Sequence, residues 1–308
     1  MKKLFLTSLL LLSGLCAFSQ VNESISTEAP AMAFATIARD PVLAGKAYSG
    51  LASVDAAAWA AGSNPASAVF AAKKINVAAS YLGWKASEGS AIGAGASMNL
   101  DGRMAFSLSF SRMGGKAYTE YDGLGKVMDE FTPSDMQFSL GAAYAFGNIS
   151  AGAAVHYLQS SASTDNSQSA ICADITGLAH FDSFNLAAGI KNLGGKVKDS
   201  SGGEFALPGH FFAAGEYCYA LSPSALVKAD ADLSYFFKGG FSAAAGLEFS
   251  FRDMLFARGG YHLGNDVLPS FAAMGAGVKF AGIALDFAYL LSSSPVGGSI
   301  QAGLSAAF

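Results

Sequence analysis

Charge is what this sequence has least of. Only 14% of its 308 residues are Asp, Glu, Lys or Arg, against roughly 25% in soluble domains. The 19 Lys and Arg against 23 Asp and Glu leave a net charge of −4, which lacks the basic footprint of a nucleic-acid binder. Disorder is excluded as well, because it needs low hydrophobicity and high net charge, and here 52% of residues are hydrophobic. Three cysteines are too few for a disulfide scaffold. Proline is scarce at 8, while glycine reaches 36 among Ala and aromatics without a Gly-X-Y period, which suggests neither collagen nor a flexible linker. Long apolar runs are also missing. Beyond residue 20, polar residues interrupt every stretch before 18 apolar positions accumulate, which excludes membrane-spanning helices.

What is present starts with a targeting signal. Lys2 and Lys3 precede an apolar run from Leu4 to Phe18, and Ala17-Phe18-Ser19 places small residues where a signal peptidase reads. Residues 1–19 are therefore expected to be a cleaved signal peptide. Cys16 invites lipidation, but Leu15 occupies the position where lipoprotein signals carry Gly or Ala. An exported, apolar chain without spanning helices leaves one membrane architecture, the closed β-barrel.

The alternation of residues supports it. From 225 to 236, Ala225, Val227, Ala229, Ala231, Leu233 and Tyr235 share one face, and Lys228, Asp230, Asp232 and Ser234 the other. From 283 to 291, Ile283, Leu285, Phe287, Tyr289 and Leu291 oppose Asp286. Fourteen segments follow this pattern, near 75–84, 90–100, 103–112, 134–146, 148–160, 168–181, 184–193, 206–220, 224–236, 240–251, 254–263, 268–280, 282–291 and 297–308. Each is long enough to cross a bilayer as a tilted strand. Twelve charged residues fall on the expected inner face: Arg103, Asp135, Asp174, Lys191, Glu216, Lys228, Asp230, Asp232, Glu248, Arg258, Lys279 and Asp286. Arg112 breaks the rule at a strand end, where it can snorkel. A soluble sandwich would alternate too, but with its charges outside and its bulk inside. Here the bulky residues oppose a face of Gly, Ala, Ser and scattered charge. Connections alternate between short turns such as Asp101-Gly102 and longer loops such as 113–133, as periplasmic turns and external loops do. The terminal Phe308, on an outward stripe, fits a barrel-assembly signal. The expected fold is an all-β, transmembrane antiparallel barrel of about fourteen strands spanning 75–308.

Residues 20–74 do not alternate and are expected to form a partly helical plug. Asp55 is placed to cap a short helix through Ala61, and Asn64-Pro65 to end it. The stretch from Ala38-Arg39-Asp40-Pro41 through Gly45-Lys46-Ala47-Tyr48-Ser49-Gly50 to Trp59 and Asn64-Pro65-Ala66 resembles the PorV/PorQ family, outer-membrane proteins of the Bacteroidota related to the FadL fatty-acid channels. Phe131-Thr-Pro-Ser-Asp135, Ile190-Lys-Asn-Leu-Gly194 and Leu207-Pro208 extend the likeness. The resemblance implies a FadL-like barrel in the cell outer membrane. It also implies a non-enzymatic role in type IX protein secretion, recognising or shuttling cargo proteins and other secretion components, with Trp59, Asn64, Pro65 and Ala66 as the plug motif. The alternative is a FadL-like channel moving long-chain fatty acids or other small hydrophobic compounds past the N-terminal segment.

The remaining candidates read as architecture. His156, His180, His210 and His262 all face inward on separate strands, without the close spacing of a metal site. No cofactor is called for. Cys172 and Cys218 point inward with a strand between them, too far apart to bridge. Lys228, Asp230, Asp232, Glu248, Arg258, Lys279 and Asp286 are expected to form a lumen charge ladder between neighbouring strands. The long loop carrying Lys116, Glu120, Asp122 and Lys126 is the candidate partner-contact surface. Trp84, Tyr121, Tyr144, Tyr217, Tyr219, Tyr261 and Tyr289 supply candidates for interfacial girdles. The expected partners are membrane lipid and protein, and the barrel is expected to be monomeric.

Overall fold

Alternating apolar and small residues suit a pleated strand with hydrocarbon on one side and a filled lumen on the other. The computed structural model, which describes residues 30–121, 124–164, 166–198, 203–292 and 296–308, folds them accordingly. The strands are β1 (Ile75–Trp84), β2 (Gly89–Leu100), β3 (Met104–Gly114), β4 (Tyr118–Tyr121), β5 (Val127–Phe131), β6 (Ser134–Phe146), β7 (Ile149–Ser163), β8 (Asn166–His180) and β9 (Phe184–Gly194). They continue as β10 (Lys196–Lys198), β11 (Glu204–Ala206), β12 (His210–Ser222), β13 (Ala225–Phe236), β14 (Gly240–Phe251), β15 (Leu255–Leu263), β16 (Phe271–Phe280), β17 (Ile283–Leu291) and β18 (Ile300–Ala307).

Fourteen of these close into one antiparallel barrel in which β1 pairs with both β2 and β18. Closure matters because a sheet edge in hydrocarbon would leave a row of N–H and C=O groups without partners. At the seam Asn76 lies opposite Ala307 and Gly83 opposite Ile300. The other four strands form two small hairpins, β4–β5 and β10–β11, in the longer connections. The first turns much of the expected loop at 113–133 into regular structure; Asp122 lies outside the described residues. The expected signal peptide, residues 1–19, lies outside them too.

The outer surface carries the bulk. Ile171, Leu247, Tyr261, Leu285 and Leu304 are all exposed, a band that water would not tolerate and that acyl chains solvate. Aromatic pairs such as Tyr144–Phe146 and Phe181–Phe184, with centroids 4.7 and 4.6 Å apart, stand at the short-turn rim, where amphipathic rings anchor barrels. Arg112 is the one Lys, Arg, Asp or Glu of the barrel strands that faces outward among the described residues, two positions from the end of β3. Two expectations need correction. Arg103 sits exposed in the 101–103 turn instead of on an inner face, because β3 starts one residue later. Trp84 packs inside the lumen with Leu82, Met113 and Leu290 and takes no part in a girdle.

Leu247 pairs with Ala229 and Gly259 within the wall and is more than half exposed. Leu247→Lys is expected to cost about 2–4 kcal/mol when the barrel folds into lipid, read by equilibrium unfolding in vesicles. A cost near zero would mean that this face does not meet hydrocarbon.

Candidate functional site

A barrel of this size encloses a wide lumen, and residues 30–74 fill it. The segment starts beside the long loops, where the Ala31 amide donates to the Ala206 carbonyl at 2.9 Å. It leaves at the short-turn end, where Asn99 Nδ2 holds the Val69 carbonyl at 2.7 Å. Between these points lie three 3₁₀ turns (Ala33–Thr36, Ala57–Trp59 and Pro65–Phe70) and one short helix, α1 (Pro41–Gly45). Asp40 caps α1: its Oδ1 accepts from the Val42 amide at 2.9 Å, and Pro41 takes the first helical position, where no N–H is needed.

The wall makes room for this hatch by omitting side chains. A Cβ on Gly152 would come within 2.4 Å of the Ala66 nitrogen, and one on Gly95 within 2.3 Å of the Ala58 carbonyl oxygen. Both glycines face inward, so the hatch backbone lies directly on the sheet.

Charge then fixes the hatch in place. Lys46, 1% exposed, forms a 2.7 Å ion pair with Asp230 of β13. Burial opposes its charge, but Asp230, Glu248 and Glu216 outweigh that and hold it above the ordinary lysine value. Asp232 accepts from the Gly50 and Leu51 amides at 2.9 and 3.0 Å. Lys228 pairs with Asp55, and Lys191 of β9 donates to the Gly62 and Ser63 carbonyls. Lys191 is steadied by Asp174 at 3.3 Å, and the same carboxylate approaches His156 at 3.1 Å. These three meet where the β8–β9 register shifts, with Asn192 in the left-handed region at φ 52°.

The expected charge ladder is thus divided. Arg258 bridges Glu248 and Asp286 between strands, at 2.6 Å each. Lys228, Asp230 and Asp232 instead reach across to the hatch, and Lys279 turns to Asp253 in a short turn. Asp55 does not cap a helix; its carboxylate is taken by Lys228, and the turn at Ala57–Trp59 has no side-chain cap. Nor does Asn64 end one. Its Oδ1 accepts from the Ala66 amide at 3.1 Å and so opens the Pro65–Phe70 turn, while its Nδ2 donates to the Leu51 carbonyl at 2.8 Å. Trp59, Asn64, Pro65 and Ala66 are all buried, with Trp59 laid over Gly93 and Gly95. Cys172 and Cys218 are free thiols on β8 and β12, separated by β9. In the long loop, Lys116 pairs with Glu88 at 2.8 Å and Glu120 accepts from the Thr164 amide and hydroxyl.

Between the hatch and the long-loop half of the wall lies a cavity of about 140 Å³. Its apolar lining includes Ile37, Leu43, Leu51, Trp59, Phe236 and Leu268. Polar groups join them: Arg39, Asp40 and Tyr48 from the hatch, His210 and His262 from the wall. Tyr48 and Ala47 both have positive φ, 66° and 54°, an uncommon backbone for residues with a Cβ. This turn sets the Tyr48 ring edge-on to Phe271 at 5.1 Å. Sequence reasoning did not single out Arg39 or Tyr48, although both stand in the motif that carried the family resemblance. A larger groove, about 630 Å³, lies on the outside of the wall around Ala96, Ala142 and Ala153; it faces hydrocarbon, away from the hatch.

Fold and site together define a fourteen-stranded membrane barrel closed by an N-terminal hatch. Several solved structures are similar to it. A Pseudomonas aeruginosa FadL homologue aligns at TM-score 0.52 and 12% identity, covering 87% of this chain and 98% of its own. The CymD monoaromatic hydrocarbon channel aligns at TM-score 0.58 and 11% identity, covering 89% and 98%. The Pseudomonas putida toluene transporter TodX aligns at TM-score 0.56 and 12% identity, covering 80% and 93%. No family model and no curated protein matches the chain.

Two outcomes follow from the hatch contacts. Lys46→Met leaves Asp230 charged and buried, so it is expected to destabilise the hatch by about 3–5 kcal/mol, read as faster hydrogen exchange over residues 41–50. Adding Asp230→Leu should recover most of the loss; no recovery would mean that the pair is not the latch. Burial raises Asp40 to about 6, above its unfolded value, so the hatch is most stable where Asp40 is protonated and weakens as pH climbs through 6. Asp40→Asn keeps the cap and removes that dependence, a gain above pH 7 of about 3 kcal/mol at most. Equal exchange rates for the two proteins at pH 8 would refute it.

Proposed function

We propose that the protein is a non-enzymatic, FadL-like outer-membrane channel for small hydrophobic compounds, exported by a cleaved signal peptide and gated by its hatch. The carrying observation is the cavity pressed between hatch and wall, lined by Ile37, Leu43, Leu51, Trp59, Phe236 and Leu268. Its volume, about 140 Å³, is close to that of an engineered cavity of about 150 Å³ that takes one benzene. Similar barrels are described as a monoaromatic hydrocarbon channel and a toluene transporter, which supports ring-sized, apolar cargo here. The hatch must move for passage, and its wall contacts combine ion pairs and hydrogen bonds with apolar packing through small residues such as Ala44, Ala47, Ala52 and Ala66.

The type IX secretion reading draws less support. Trp59, Asn64, Pro65 and Ala66, the residues that suggested it, are buried in hatch packing and offer nothing to a protein partner. The 113–133 loop is the surface left to that reading, and two of its charges, Lys116 and Glu120, are engaged locally.

A deletion strain scored for uptake of labelled toluene and of a long-chain fatty acid, and in parallel for secreted proteins at the cell surface, separates the two. The expected result is reduced uptake with normal surface display. Normal uptake with lost display would overturn the channel and restore the secretion role.

A further inference from the structure

We propose that the hatch cavity takes a ring-sized monocarboxylate, with the Arg39 guanidinium receiving its carboxylate. This rests on the channel reading and narrows its cargo. The reason is a charge that the protein leaves unanswered. The other buried cations of the lumen have acids: Lys46 has Asp230, Lys191 has Asp174, Lys228 has Asp55, and Arg258 has Glu248 and Asp286. Arg39 makes no hydrogen bond or ion pair among the described residues, and its Nε and Nη1 are sealed from solvent without partners. Arg39 as a whole is part-buried, but two of its guanidinium nitrogens are cut off from water without partners, which is unfavourable for a cation, and a planar guanidinium fork matches a carboxylate with two parallel bonds.

The surroundings fit an anion with an apolar body. Three more polar atoms from the lining, Tyr48 Oη, His262 Nδ1 and Asp40 Oδ2, are buried and unpartnered. Asp135, the carboxylate whose field reaches Arg39, makes no ion pair with it and accepts a 2.6 Å bond from Ser160. Asp40, the acid in the lining, spends Oδ1 on the Val42 amide; its free Oδ2 belongs to a carboxyl that burial pushes towards the protonated, uncharged form. The apolar part of the lining includes Leu43, Leu51, Trp59 and Leu268, with polar wall residues such as Ser109, Gln137 and Ser242 completing it; about 140 Å³ suits a ring and is too confined for a long acyl chain.

Equilibrium dialysis of the purified full-length barrel in detergent tests this with benzoate, benzamide, acetate and toluene. Benzoate is expected to bind about tenfold or more tighter than benzamide, since hydrogen bonds to charged groups outweigh neutral ones by that order. Arg39→Gln should abolish the preference while leaving toluene bound. Equal affinity for benzoate and benzamide, or for benzoate and acetate, overturns the proposal, as does an unchanged preference in Arg39→Gln. Toluene binding without benzoate binding overturns it and leaves the channel reading standing; binding of neither removes both. If Arg39→Gln does not refold, the wild-type comparison of benzoate with benzamide decides.

Discussion

In hydrocarbon, a backbone N–H or C=O without a partner costs several kcal/mol, and everything else in this molecule follows from meeting that demand with strands. Strands must pair on both edges, so β1 and β18 close the sheet. A closed sheet has an inside, and alternation sends every second side chain there. Bulk goes to the lipid because lipid solvates it, and charge goes inward because the outside would refuse it. Arg112 survives outside at the end of a strand, with a stem long enough to carry its charge past the acyl region.

The inside then poses its own problem. A fourteen-stranded wall with small inner residues leaves more space than side chains can fill, and a chain segment laid into it must bring its polar backbone along. Gly95 and Gly152 let that backbone touch the sheet. Asp232, Lys191, Ser150 and Asn99 bond its amides and carbonyls. The inner charges are therefore less a ladder between strands than a set of hooks for the hatch. That distinguishes Asp230, whose partner is Lys46 in the hatch, from Glu248, whose partner is Arg258 on the next strand.

Period-two patterning is local, so the barrel was legible in the chain. β1, β6 and β14 begin and end where alternation begins and ends, and the facing of Asp174, Glu216 and Asp286 follows from parity. The hatch was not legible in the same way. Lys46 and Asp230 are 184 positions apart, and no periodicity links them. Asn64-Pro65 shows the limit of local signals: the same two residues can close one helix or open the next, and the choice depends on Leu51 and Thr176, which supply the other bonds. Arg103 was misplaced by a single residue of strand boundary, enough to turn an inner side chain into an exposed one.

The cavity is where this logic stops being self-contained. Elsewhere the hatch settles its buried polar groups against the wall, but around Arg39, Asp40, Tyr48 and His262 it does not. The chain spends an unfavourable left-handed pair, Ala47 and Tyr48, to bring that region about. A segment that served only to fill the lumen would gain by replacing Arg39 with an apolar residue and relaxing the turn. Strain and an unpaired charge at one place, in a lumen where the other cations are matched, are what a hatch that forms half of a binding site would show, beyond the demands of occupying space.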